Sequence, residues 1–148
     1  MNIGGKAANL IRLAAIGQRV PPFYVAGTNI RVGEIRPDAF VAVRSSAVGE
    51  DAAGASFAGI HESLLFVRDI DSAIEEVRAS ATSERAIAYR KEKGLPLDNI
   101  EIAVVVQEMI DSAISGVVFT ANPTTGDTRE LVISALHGLG EGLVSVGL

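Results

Sequence analysis

An arginine that follows an apolar run is the residue best suited to chemistry in this chain. Residues 40–43 (Phe-Val-Ala-Val) predict a strand, and Arg44, Ser45 and Ser46 come next, before a loop of small and acidic residues. A guanidinium at the end of a strand, beside hydroxyl groups and flexible glycines, is suited to binding an anion. The competing interpretation is a polar turn that leads to a second strand at residues 63–67.

A second cation, Lys6, follows a pair of glycines near the start of the chain. Apolar residues at helical spacing from Ala7 predict a helix that Gly17 ends. Unpaired amide groups and the positive helix dipole at such a start can bind a phosphate, and Lys6 would add charge. The alternative is an amphipathic helix with a solvated lysine, because Gly-Gly-Lys is not a complete phosphate-loop pattern.

A third candidate lies at the exit of the most apolar stretch. Residues 100–109 contain an Ala-Val-Val-Val run that is apolar on both faces, as expected for a central strand. Gln107 and Met109 follow this run, where the backbone becomes available to the edge of a flat ligand.

The remaining elements predict a sheet flanked by helices. Residues 69–93 predict one helix, or two with a break near Thr82 and Ser83, capped by Asp69 or Asp71. Further strands are predicted at residues 115–120 and 130–136, the first antiparallel to the strand before it, and residues 137–142 predict a glycine-rich loop. Residues 26–38 form a polar linker without visible chemistry.

Composition narrows the function classes. The 148 residues contain no cysteine, have a net charge of −5 and include no apolar run of membrane-spanning length, so we expect a soluble, cytoplasmic protein. The negative charge disfavours a non-specific nucleic-acid binder. His61 and His137 lack an evident catalytic partner, and the loop residues Glu50 and Asp51 are more simply solvated than metal ligands.

Three separated segments together resemble one family. They are GGKAANL followed by VPPF; VAVRSSAVGEDAAGASFAGIHESLLFV; and VVVQEMIDSAISGVVFTANPTTGD followed by GLGEGLVS. In this order they are similar to the nucleotide-binding domain of phosphoenolpyruvate synthase and pyruvate phosphate dikinase, in the branch that includes rifampin phosphotransferase.

The resemblance implies a partial ATP-grasp fold of the α/β (α+β) class, with a mixed or antiparallel sheet and flanking helices. We expect one domain over residues 1–148, with lobes at 1–68 and 69–148. Carried over by motif, Lys6 and Arg44 would contact the ATP phosphates during catalysis, with Ser63 nearby. The residues implied for the adenine and ribose pocket are Gln107, Met109 and Asp111.

The implied activity is transfer of a phosphoryl group from ATP, with Mg²⁺, to a histidine on a separate domain and then to pyruvate or a similar acceptor. This sequence differs from the family pattern in two ways that bear on that activity. Only residues 24–39 join the VPPF and VAVRSS motifs, where the family has a longer helical stretch. The family's metal-binding Glu, and its later Gln and Arg, have no counterpart here, so no metal ligand is assigned.

We therefore expect ATP binding without turnover by this chain alone, as a fragment, a split subunit or a decayed paralogue. The alternatives are a non-catalytic nucleotide-binding or regulatory module, or a structural fragment that associates with itself as a homo-oligomer. The expected partners are ATP and a phosphohistidine domain on another chain, with no nucleic acid and no membrane.

Overall fold

The computed structural model describes residues 3–47, 51–52, 55–56, 63–98, 100 and 102–145. The chain divides into two compact units, Met1–Met109 and Ile110–Leu148. The helices are α1 (Gly4–Ala15), α2 (Ile70–Ser80), α3 (Glu84–Glu92) and α4 (Glu141–Ser145). The strands are β1 (Phe23–Val25), β2 (Arg31–Val32), β3 (Val41–Ser46), β4 (Asp51–Ala52), β5 (Ala55–Ser56), β6 (Ser63–Val67), β7 (Ala103–Glu108), β8 (Ile114–Phe119) and β9 (Val132–His137).

The first unit is built on a five-stranded sheet in the order β2-β1-β7-β3-β6, and all neighbouring strands are antiparallel. The apolar run of β7 lies in the middle because both of its faces are buried. The prediction of an α/β fold with an antiparallel sheet and flanking helices is confirmed. The predicted single domain with lobes at 1–68 and 69–148 stays a prediction.

Each face of this sheet packs against a different helix. On one face, the alternate valines of β3 and β7 pack against α2; this α2-face core contains Val41, Val43, Val104, Val106, Ala73, Ile74 and Val77. On the other face, Phe23, Val25 and Val105 pack against Ala7 of α1. The period of two along each strand therefore divides the side chains between an α2 face and an α1 face.

The ends of the helices follow their sequence signals. Gly17 has a φ of +80° and closes α1 in a Schellman motif, in which Gln18 N donates to Leu13 O and Gly17 N to Ala14 O. Asp69 caps α2 by accepting from Ser72 N, as predicted. Ser83 caps α3, so the predicted break near Thr82 and Ser83 is confirmed.

Two predictions about the strands were wrong. We predicted that the strand at residues 115–120 pairs with the strand before it, but β8 pairs with β9, from Ile114 opposite His137 to Phe119 opposite Val132. The polar linker contributes β2, whose two residues pair with β1. β7 is already paired on both sides, with β1 and β3, so it has no free edge to which β8 could add.

The segment after β2 is fixed to the sheet through Glu108, the last residue of β7. Arg36 N and Nε each donate to the Glu108 carboxylate at 2.9 Å, and the Glu108 side chain is only 7% exposed. The backbone N–H of Arg36, then its side-chain hydrogen bond and its charge, hold the pKa of Glu108 below the ordinary value of 4.5. The apparent linker is therefore part of the folded unit.

Replacing Glu108 tests this attachment. A lowered folded-state pKa means that the stabilisation is complete above the unfolded-state pKa and is lost as the pH falls through the folded-state pKa. Glu108→Gln should therefore lower the free energy of unfolding at neutral pH, and its difference from wild type should shrink below about pH 4.5. Urea unfolding across pH measures this, with the exposed Glu34→Gln as control. An equal loss in both variants, or a difference independent of pH, would contradict it.

The start of α1 approaches the end of β3 so closely that only glycine fits. Gly4 has a φ of +70°, and a Cβ placed on it would lie 2.1 Å from Ser46 O. Gly17 also has a positive φ, of +80°, but a Cβ there would meet no atom within 4 Å. A side chain at Gly17 would therefore cause backbone strain alone, whereas a side chain at Gly4 would cause both backbone strain and steric overlap with β3.

Substituting each glycine by alanine tests the close approach. Gly17→Ala should lower the free energy of unfolding by about 1–2 kcal/mol, the cost of a left-handed backbone for an L-residue. Gly4→Ala should cost more, because the clash with β3 adds to that strain. Denaturant unfolding of both variants measures the difference, and equal costs would show that α1 does not sit this close to β3.

Candidate functional site

Arg44 lies within β3 rather than beyond its end. Its Cα is opposite Val105 of β7 and Ser63 of β6, and Ser45 and Ser46 continue the pairing with β7. The prediction that the strand ends at residue 43 was therefore wrong. Pairing on both sides outweighs the polar character of Arg-Ser-Ser, since backbone pairing does not depend on side-chain polarity. Strands on either side hold the Arg44 backbone.

The register places several predicted residues on the α1 face. Residues directly opposite each other on neighbouring strands project their side chains to the same face. Arg44 is opposite Val105, whose side chain packs on α1, and also opposite Ser63. Gln107 is opposite Phe23, which packs on α1 as well. Arg44, Ser63 and Gln107 thus share one face of the sheet.

A buried amide connects Arg44 to the turn before β1. Arg44 Nη1 donates to Gln107 Oε1 at 3.4 Å, and Gln107 Nε2 donates to Pro21 O at 3.3 Å. Both distances are long for hydrogen bonds, so they restrain the guanidinium weakly. Guanidinium has five N–H donors, and within the described residues this is the one hydrogen bond Arg44 makes. Its remaining donors can serve an anion.

Three hydrogen bonds join the start of α1 to the last residue of β3 and the residue after it. Gly5 N donates to Ala47 O at 3.0 Å, and Ala7 N donates to Ser46 Oγ at 3.0 Å. Ser46 Oγ in turn donates to Ile3 O at 2.7 Å. The expectation of unpaired amides at this helix start was therefore wrong for Gly5 and Ala7. A phosphate contact from this region would instead come from the half-buried Lys6 side chain.

Met109 lies at the exit of β7 beside an exposed aromatic pair. Its N–H donates to Phe40 O at 2.9 Å, and its Sδ accepts from Phe66 N at 3.0 Å. Phe40 and Phe66 form an edge-to-face pair with centroids 5.9 Å apart, and Arg68 stacks on Phe40 at 3.9 Å. We name Phe40, Phe66 and Arg68 the aromatic patch. Sequence reasoning missed it.

Phe66 has a backbone conformation that is rare for a bulky residue, with a φ of +56°. The β3–β6 register shifts between Val41 and Val43, so β6 carries a bulge at this point. The bulge turns the Phe66 ring outward, where it is 52% exposed. No periodicity in the sequence distinguishes this residue from the strand residues around it.

Asp111 belongs to the second unit, where it is exposed. The structure therefore brings Arg44, Ser63 and Gln107 to one sheet face and puts Met109 at the end of β7, while Asp111 is assigned to a different unit. His137 ends β9 and is exposed, and Glu141 begins α4. The predictions about His61 and Glu50 concern positions outside the described residues.

The second unit has its own polar cluster at the base of its hairpin. The hydroxyl groups of Ser112 and Ser115 lie 2.9 Å apart, and both donate to Gly138 O. At the hairpin loop, the Arg129 guanidinium lowers the pKa of Asp127 through direct hydrogen bonds. These side chains are hydrogen-bonded to each other or to the backbone of the hairpin, so the contacts stabilise the hairpin and do not indicate a binding site.

A groove of about 260 Å³ lies on the opposite, α2 face of the first unit. Tyr24, Ile35, Val67 and Ile70 line it, together with Arg36 and Arg68. Burial raises the pKa of Tyr24. None of the six predicted site residues lines this groove.

In the part of the chain that the structure describes, no three His, Asp or Glu side chains form a metal-binding group, and no helix is long and apolar enough to cross a membrane.

Comparison with known proteins gives the same family as the motifs. Residues 29–147 match the family model described as the AMP/ATP-binding domain of pyruvate phosphate dikinase. Arg44, Ser63, Gln107, Met109 and Asp111 lie inside this range, whereas Lys6 lies outside it.

Several curated relatives are phosphoenolpyruvate synthases. A probable phosphoenolpyruvate synthase of Archaeoglobus fulgidus is 46% identical over 111 residues, which cover 73% of this chain and 15% of the relative. A phosphoenolpyruvate synthase of Aeropyrum pernix is 39% identical over 151 residues, which cover 94% of this chain and 18% of the relative. An uncharacterized phosphotransferase of Bacillus subtilis is 45% identical over 108 residues, which cover 71% of this chain and 13% of the relative.

These matches extend over most of this chain but only a small part of each relative, between 13% and 18% of its length. The family model covers well over half of the chain. The chain therefore belongs to the family of the AMP/ATP-binding domain of pyruvate phosphate dikinase.

Proposed function

We propose that this chain binds ATP as the nucleotide-binding domain of a phosphoenolpyruvate synthase-like phosphotransferase. The observation that carries the proposal is the state of Arg44. Within the described residues its guanidinium makes one long hydrogen bond, to Gln107, which leaves donors for a ligand. A guanidinium presents its donors as a planar fork that matches phosphate oxygens in pairs.

We infer that two further groups contribute to the phosphate site. Ser63 is opposite Arg44 on β6 and exposed, so its hydroxyl can donate to a phosphate oxygen. Lys6 lies on the helix that covers the same face and supplies a second positive charge. The chain as a whole carries a charge of −5. Binding of a triphosphate therefore depends on these local cations rather than on attraction to the whole protein.

We assign the nucleoside end of ATP to the exit of β7. Met109 has a polarisable side chain suited to the face of a purine, and Gln107 lies two residues earlier. The resemblance also assigns Asp111 to the ribose hydroxyls. The resemblance motivates these assignments, and the position of β7 beside Arg44 supports them.

The transfer reaction belongs to the whole phosphotransferase. ATP would phosphorylate a histidine on a separate domain, which would pass the phosphoryl group to pyruvate. The names of the relatives favour pyruvate over the rifampin acceptor of the related branch. Among the described residues, no three acidic or histidine side chains form a group that could hold Mg²⁺. We expect ATP binding without turnover in a cytoplasmic protein.

Calorimetric titration with ATP tests the site. Arg44→Ala should weaken ATP binding by at least about tenfold, because hydrogen bonds to a charged group contribute about 1.5–3 kcal/mol. The matched control is Arg31→Ala, which removes the same charge from a residue that stacks on Tyr24 at the α2 face. No binding by the wild type at millimolar ATP would refute the function, and equal losses in both variants would refute the assignment to Arg44.

A second proposal, self-association, rests on the β8–β9 hairpin. Ile114, Val118 and Ile133 lie on one face of it and are 58–67% exposed, and Val118 is directly opposite Ile133. A two-stranded hairpin is marginally stable in water unless its apolar face is covered. A second copy of the hairpin would cover that face in a homo-oligomer.

Light scattering after size exclusion tests self-association. The wild type should elute as an oligomer, and Ile133→Lys should shift it toward the monomer because a charge would enter the apolar contact. Leu97→Lys is the control, since Leu97 is an exposed leucine of the first unit. A monomeric wild type, or an equal shift with both substitutions, would contradict self-association through this hairpin.

A further inference from the structure

We propose that Ser46 is a positioning residue, which sets the place of Lys6 relative to Arg44 for binding the phosphates of ATP. The inference rests on the proposed function and deepens it. Its basis is the hydrogen-bonded connection between the start of α1 and the end of β3. We name this connection, made by Ile3, Gly4, Gly5, Ala7, Ser46 and Ala47, the helix–strand lock.

The lock holds the backbone on both sides of Lys6. Gly5 N, just before it, donates to Ala47 O, and Ala7 N, just after it, donates to Ser46 Oγ. The two amides that flank the lysine are therefore both tied to the last residues of the β3 segment. Any shift of β3 relative to α1 would break one or both of these hydrogen bonds.

Ser46 makes both of its hydrogen bonds toward α1. Its Oγ accepts from Ala7 N at 3.0 Å and donates to Ile3 O at 2.7 Å, while its side chain is 1% exposed. The hydroxyl thus serves one donor and one acceptor of the same helix start. Removing it would take this partner from the buried Ala7 amide and from the half-buried Ile3 carbonyl, and loss of a hydrogen bond by a buried group is costly.

Gly4 brings α1 close enough for these bonds to form. A Cβ at Gly4 would overlap Ser46 O, so the absence of a side chain sets the distance between helix and strand. Ser46 is two residues after Arg44, and residues two apart in a strand share a face at a spacing of about 7 Å. The lock therefore ties the backbone on either side of Lys6 to Ser46 and Ala47, and Ser46 lies one strand repeat along β3 from Arg44.

The neighbouring serine provides a matched control. Ser45 is also 1% exposed, but its alternation along β3 places it on the α2 face. Within the described residues, Ser45 Oγ has no hydrogen-bond partner. Ser45→Ala and Ser46→Ala therefore remove the same atom from adjacent buried positions, one outside the lock and one at its centre.

The test measures binding of ATP and of adenosine by the full chain. Ser46→Ala should weaken ATP binding by about fivefold to tenfold, because a misplaced Lys6 would lose about the free energy of one hydrogen bond to the phosphates. Adenosine binding should change less than about twofold, since adenosine has no phosphates. Ser45→Ala should leave both affinities within about twofold of wild type.

A double-mutant cycle shows whether Ser46 acts through Lys6. In a Lys6→Ala background, Ser46→Ala should have little further effect on ATP affinity, because the group it positions is absent. Ser46→Cys, with a weaker donor and acceptor of similar shape, should lie between wild type and Ser46→Ala. It also keeps the test available if the alanine variant does not fold.

Three results would overturn the positioning role alone. They are equal effects of Ser45→Ala and Ser46→Ala, an equal loss of ATP and adenosine affinity, and additive effects of Ser46→Ala and Lys6→Ala. A wild type that binds neither ligand would overturn the proposed function, and the positioning role with it. Amide hydrogen exchange at Ala7 should rise in Ser46→Ala and not in Ser45→Ala, and an unchanged rate would refute the lock itself.

Discussion

The antiparallel register between β3 and β7 is the constraint on which the rest of the first unit depends. Six consecutive residue pairs, from Val41 opposite Glu108 to Ser46 opposite Ala103, align the two central strands. A slip of one residue would move every side chain to the other face. Arg44 would then enter the apolar core under α2, and a valine would face α1. Burial of Val41, Val43, Val104 and Val106 therefore fixes the face on which Arg44 lies.

The two faces of the sheet have different chemistry as a result. The α2 face is an apolar core, with the ion pair of Glu108 and Arg36 at the end of β7. The α1 face combines a smaller apolar cluster with Arg44, Gln107 and Ser63. Apolar packing on one face can thus stabilise the unit while polar groups on the other stay available to a ligand. The groove of about 260 Å³ lies on the α2 face, apart from the proposed phosphate site.

The sequence predicted the elements that local rules determine. Apolar spacing and capping residues predicted α1, α2 and α3, and the valine run predicted β7 as a central strand. It did not predict contacts between distant segments, such as Ser46 with α1 or Arg36 with Glu108, which lie 39 and 72 residues apart. Arg44 was found because a cation after an apolar run is unusual, but its place inside β3 depends on β6 and β7. The bulge that exposes Phe66 has no local signal.

We propose that the α1 face around Arg44 binds the phosphates of ATP. Side-chain NMR of the arginines during titration with ATP can locate the phosphates. The Arg44 Nε–H resonance, together with the amides of β3 and β6 near Ser63, should shift and saturate as ATP is added. Arg31 and Arg36, on the α2 side, should not shift. Saturable shifts confined to the α2 face, with Arg44 unchanged, would show that the phosphates do not bind at Arg44.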